Sequence, residues 1–193
     1  MNAIKKLAIK VFYLLLLPLV PYWYMLTMWL TKKTKSPVKL HKDPKSIAST
    51  LKWGRTWVAD PLGGVLDNLY HPTKVQDNLN KGKSVGDCDD HAVYWCTALL
   101  KSGLAKRAWL SFYQYERADG VVNGHVVCVY EAPLGGYYWV DYGLPEKIER
   151  RSQWVNLMAK RKTRRVLGAA EIEITKLGEE DTPILGKAVK LFG

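Results

Sequence analysis

Apolar positions along the chain fall into three kinds of pattern. The first is a run of 20 positions without a charge, 11–30, "VFYLLLLPLVPYWYMLTMWL". At roughly 1.5 Å per residue, one helix of that length would span about 30 Å, the hydrocarbon thickness of a bilayer. Tyr13, Tyr22, Trp23, Tyr24 and Trp29 suit the headgroup zones, and lysines flank both ends. Pro18 and Pro21 would kink such a helix, which membranes tolerate. The run predicts a single-pass membrane anchor. A cleaved signal peptide fits the start at Lys5, Lys6 and Lys10, but no small-x-small site follows. A buried core helix is the third reading, unusual for so long an uninterrupted run.

The second pattern is helical. Asp43-Pro44 supplies a cap and a first-turn proline, and Ile47, Leu51, Trp53, Trp57 and Val58 follow at near-helical spacing, predicting a helix over 44–58. "PLGG" at 61–64 breaks it, 72–79 reads as a short helix, and "NKGKSVG" reads as a loop. Asp87 then caps the next helix, with Asp90 as its capping-box partner. Ala92, Trp95, Cys96 and Leu99 form its apolar stripe and Gly103 ends it. One turn before Ala92 stands Cys88, on the same stripe at the first turn.

The third pattern is β. Residues 109–116 are rich in aromatics, Asp119-Gly120 marks a turn, and 121–130 is rich in β-branched residues. After "EAPLGG", 137–142 reads as a strand, and 171–177 alternates as "EIEITKL". A helix feeding an antiparallel sheet is an α+β pattern. The expected organisation is an anchor and basic linker over 1–42 and one globular domain over 43–193.

Composition narrows the class. An apolar share of 48% suffices for a core. Three cysteines, Cys88, Cys96 and Cys128, form neither a CxxC pair nor an even set, so reduced thiols are expected. The net charge of +11 is uneven: 1–45 hold nine lysines and one aspartate, 147–165 hold eight Lys or Arg and one glutamate, and the remainder is net acidic. That is not a uniformly basic nucleic-acid binder. Contact of 147–165 with anionic lipid is the better functional expectation for that segment, beside a plain solvated helix face. Counting lysines on either side of the anchor places the globular domain in the cytoplasm, although a short basic N-terminus can also insert the other way.

The candidate chemistry lies in "VGDCDDHAVYW" and the strands that follow it. A hairpin centred on Pro133 would set His125 opposite Asp141, Val127 opposite Trp139 and Val129 opposite Tyr137. A slip of one pair would leave His125 and Asp141 diagonal neighbours. If the helix bearing Cys88 packs on that face, the order is thiol, imidazole, carboxylate, a nucleophile with its base and orienter. A helix N-terminus and a nearby imidazolium both favour the thiolate. Asp87, Asp89 and Asp90 would oppose it unless they bond backbone N–H groups and point outward. An inert core thiol is the plain alternative for Cys88, and Cys96 and Cys128 read as core residues. His91, three residues from Cys88, invites a metal reading, but no CxxC or HxxxH set supports one, so no metal or other cofactor is expected.

"GDCDDHA", then "GHVVCVYE", then "YYWVDYG" resembles the transglutaminase-like superfamily, whose bacterial cysteine-proteinase members carry a G-D-C-[ED]-D segment. The likeness covers about 73–143, a little over a third of the chain, with Cys, His and Asp motifs in the family's order. It implies a papain-like core with Cys88 as nucleophile, His125 as general base and Asp141 as orienter. An oxyanion hole would join the Cys88 backbone N–H to an upstream donor, with Gln76, Asn78, Asn80 and Trp57 as candidates. The expected activity is cysteine-dependent attack on an amide carbonyl of a peptide or protein. Hydrolysis is favoured over transfer to an amine, with a catalytically silent, membrane-tethered binding module as the alternative.

Overall fold

The computed structural model describes residues 17–31, 34–51, 69–116, 120, 122–162 and 165–192. Among these, five helices pack on one six-stranded antiparallel sheet: α1 (Val20–Thr31), α2 (Pro44–Leu51), α3 (Pro72–Asn80), α4 (Cys88–Lys101) and α5 (Gln153–Lys162). The strands are β1 (Arg107–Glu116), β2 (Val122–Glu131), β3 (Tyr137–Val140), β4 (Glu146–Ile148), β5 (Arg165–Leu177) and β6 (Pro183–Phe192), in the order β4-β3-β2-β1-β5-β6. The α+β class and the helix that opens at Cys88 are as expected. Two strands were not predicted. β4 has three residues, too short to leave a pattern, and β6 is an edge strand opening at Pro183 and interrupted by Gly186, Lys187 and Lys190. Those features protect an edge from further pairing and also blur its alternation.

The single helix expected over 11–30 does not appear as one piece. Residues 11–16 lie outside the described residues. From Leu17 the chain makes a 3-10 turn (Leu17–Leu19) and then the 12-residue α1. Pro18 and Pro21 explain the break: neither has an N–H to give, and Pro21 sits in the first turn of α1, where none is needed. No helix among the described residues is long and apolar enough to cross a membrane. The expected linker is also not loose. Val38 is buried, its N–H bonds Asp181 Oδ2 at 2.8 Å, and Lys101 Nζ bonds both the Val38 carbonyl (2.7 Å) and Asp181 Oδ2 (2.8 Å).

α2 begins as predicted, with the Ser46 N–H on Asp43 Oδ1 at 2.7 Å, but its described part ends at Leu51; Trp53, Trp57, Val58 and the break at 61–64 lie outside the described residues. α3 matches its prediction. Its cap is His71, whose Nδ1 accepts from the Thr73 N–H and whose Nε2 can therefore donate to Thr182 Oγ1 at 3.0 Å.

Two cores flank the sheet. Under α4, Val93, Trp95, Cys96 and Leu99 meet the even-numbered Ala108, Leu110, Phe112, Val126, Cys128 and Tyr130. Cys96 and Cys128 are indeed core thiols, 3.1 Å apart, and burial pushes Cys128 well above the usual thiol range. On the other face the odd-numbered Trp109, Tyr113, Tyr115, Val127, Val129 and Trp139 pack with Trp154 and Met158 of α5. This corrects an expectation: α4 covers the face opposite Val127, Val129 and Trp139, not the same one. The β2–β3 register differs too. Val129 pairs with Trp139 and Glu131 with Tyr137, one pair away from the predicted alignment. Gly135 and Gly136, at φ 89° and 90°, close the turn around Leu134 rather than Pro133.

Candidate active site

α4 starts where three acids hold its first turn. Asp87 is the N-cap and accepts from the Asp89 N–H. Asp89 Oδ1 accepts from the Asp90 N–H at 2.8 Å, and Asp90 Oδ1 accepts from the Tyr70 N–H at 2.6 Å. Asp89 and Asp90 are fully buried, so the acids bond backbone as expected but do not point outward. Through the Tyr70 bond Asp90 ties α4 to the segment before α3. Gly86, at φ 121°, is required here, because a Cβ would land on the Asp90 carboxylate. Asp87, Asp89 and Asp90 each bring an oxygen within 4.8 Å of the others, the set of residues that could hold an oxygen-seeking cation.

Cys88 is the first residue of α4, half-buried at the edge of the core and in no disulfide. Its N–H belongs to the first turn, where helix amides have no intrahelical acceptor. One turn on, His91 is 2% exposed, and among the described residues neither ring nitrogen has a hydrogen-bond partner. Burial holds its imidazole down to about 4, against a small opposing pull from Asp87, so the ring is neutral near pH 7.

His125 and Asp141 come together. With the register displaced by one pair they are diagonal neighbours, and His125 Nε2 lies 2.7 Å from Asp141 Oδ1. Their side chains are 15% and 13% exposed. An ionised carboxylate only accepts, so the Nε2–H donates to it and Nδ1 is left as the basic nitrogen. Two rings bracket the imidazole: Tyr113, edge-on at 5.7 Å, and Tyr142, tilted at 5.2 Å.

Tyr142 also meets the His91 ring at 5.6 Å. It stands two residues past the end of β3 with φ 63°, a left-handed conformation that costs a non-glycine residue about 1–2 kcal/mol. That backbone turn places its ring between a strand histidine and a helix histidine. α4 and the His125–Asp141 pair belong to opposite faces of the sheet, and the Tyr142 ring touches a histidine of each. The sequence reading missed Tyr113, Tyr142 and the neutral burial of His91; only the turn-like "DYG" gave a signal for any of them.

The upstream amides are hydrogen-bonded within and beside α3. Gln76 is buried, with Oε1 accepting from the Tyr94 O–H (2.6 Å) and the Lys39 N–H (3.1 Å), and Nε2 donating to Asn80 Oδ1 (3.0 Å). Asn78 Nδ2 donates to the Ser84 carbonyl at 3.0 Å. These bonds make Gln76, Asn78 and Asn80 parts of the α3 scaffold, and Trp57 lies outside the described residues.

The basic 147–165 segment is partly structural. Arg151 stacks on Trp109 at 4.8 Å and pairs with buried Glu171 (2.9 Å), while Trp154 and Met158 are core residues. Burial pushes the Glu171 carboxyl up, opposed by Arg151, Trp154 and Ser111. Compared with known proteins, the chain matches no family model and no curated sequence.

Proposed function

We propose that this chain is a cysteine-dependent acyl-transfer enzyme that cleaves a peptide or amide bond. The observation that carries the reading is the Nε2–Asp141 contact of 2.7 Å, which leaves Nδ1 of His125 as the base. The half-buried Cys88 at the N-terminus of α4 and the likeness of "GDCDD", "GH" and "VDYG" to the transglutaminase-like cysteine proteinases support it.

In the reaction the Cys88 S–H proton passes to His125 Nδ1 and the thiolate forms a C–S bond to the carbonyl carbon. The negative oxygen of that adduct is met by first-turn amides of α4, the Cys88 N–H among them. Collapse breaks the C–N bond, and the imidazolium gives its proton to the departing amine. Water then attacks the thioester while Nδ1 takes a water proton; the C–S bond breaks and the thiol is re-formed. A primary amine in place of water would give transamidation by the same steps.

A silent binding module is the second reading, favoured by the two buried carboxylates that follow the thiol and by the position of α4 opposite the His125–Asp141 face. Incubation of the full chain with a peptide library and a labelled primary amine decides between them. New peptide termini mean hydrolysis and incorporated label means transfer, both lost in Cys88→Ser. Neither product from the wild-type chain would support the module.

A further inference from the structure

Helix α1 has two apolar sides, and the fold uses one. Pro21, Tyr24, Thr27 and Met28 are buried, where α1 packs on β6. Around the remaining arc Tyr22, Trp23, Met25, Leu26, Trp29 and Leu30 are exposed, Tyr22 and Trp29 each at 70%. At 100° per residue those six fill a continuous arc of about 160°, and no charge occurs within α1. Scattered surface hydrophobics are ordinary, but a contiguous aromatic face of this kind marks an interaction site.

Charge and geometry select the occupant. Lys32, Lys33 and Lys35 follow the helix directly and Lys5, Lys6 and Lys10 precede it. A second copy of the chain would double this positive charge, whereas anionic headgroups would neutralise it, at roughly 1 kcal/mol per lysine near the surface. Tyrosine and tryptophan favour the boundary between headgroup and hydrocarbon. The 12 residues of α1 are about 18 Å long, short of the roughly 30 Å a span needs, and its other side is already seated on the fold.

We propose that the exposed face of α1 is a membrane-docking surface that lies in the plane of an anionic bilayer. It would hold the globular domain at the membrane without crossing it.

Vesicle flotation of the full chain tests this. The chain should float with vesicles containing roughly one-third phosphatidylglycerol, at least about tenfold better than with pure phosphatidylcholine, and alkaline carbonate should strip it off. Tyr22→Ser/Trp29→Ser should lose about tenfold in binding with the melting temperature nearly unchanged, since both side chains face outward. If that variant does not fold, quenching of wild-type tryptophan fluorescence by shallow rather than deep brominated lipids is the substitute readout. No flotation with anionic vesicles overturns the proposal, as does resistance to carbonate, which means a spanning insertion. Concentration-dependent dimers without vesicle binding overturn it in favour of a second copy.

Discussion

On the face under α4 the sheet offers mostly small or branched groups, Ala108, Leu110, Val126, Cys128 and Ala170, beside Phe112 and Tyr130. On the other face Trp109, Tyr113, Tyr115 and Trp139 meet Trp154, with Arg107 and Arg151 both 4.8 Å from the Trp109 ring and Glu173 and Glu171 as their partners. The first face buries a helix on nearly every side; the second is covered by the shorter α5 and held by stacked cations and ion pairs. The contrast separates two jobs. Dense packing fixes where α4 begins, and the aromatic face holds His125 between Tyr113 and Tyr142, whose ring also meets His91 of α4.

Asp141→Asn should have the largest effect. By losing the acceptor that sets the imidazole tautomer, it should cut thiol-dependent turnover about 10³–10⁴-fold while the thermal midpoint barely moves, measured by kinetics beside a melt. A large fall in melting temperature instead would make the pair a structural element of the second face. Next come packing changes near α4. Gly86→Ala forces a left-handed alanine onto the Asp90 carboxylate and should cost about 2–6 kcal/mol in urea unfolding. Leu99→Ala, fully buried on the first face, should cost about 2–5 kcal/mol.

A pH series probes His91. Its folded pKa, near 4, lies below the ordinary 6.5, so the unfolded chain binds more protons between those values. The stability from keeping the ring neutral is full above about pH 6.5 and drains as pH falls toward about 4, by about 3 kcal/mol in all. Glu171, raised by burial, drifts the other way, losing stability as pH rises above the ordinary carboxylate range. Only the difference between wild type and His91→Gln isolates the histidine, and that difference should flatten above neutrality. The smallest change is Arg107→Ala. Its exposed stack and pair should be worth about 1 kcal/mol or less. A loss equal to that of Leu99→Ala would erase the contrast between the faces.

Much of this is legible in the sequence. The α4 stripe, its cap at Asp87 and the closeness of His125 to Asp141 follow from local rules of helix entry and strand alternation, and the closeness survives a one-pair slip because diagonal neighbours still touch. What was hidden depends on long-range choices. Which face α4 takes cannot be read from β2, since "HVVCVY" is apolar on both sides. The burial of Asp90 depends on the Tyr70 amide 20 residues away. The uncharged residues of α1 look alike in sequence whether they meet β6 or the outside.

The central claim is tested most directly by the rate at which iodoacetamide alkylates Cys88 across pH, read residue by residue by mass spectrometry in wild type and His125→Ala. The predicted result is selective labelling of Cys88 that persists below the ordinary thiol range and disappears in His125→Ala. Labelling of Cys88 that follows an ordinary thiol and is unchanged by His125→Ala would contradict it.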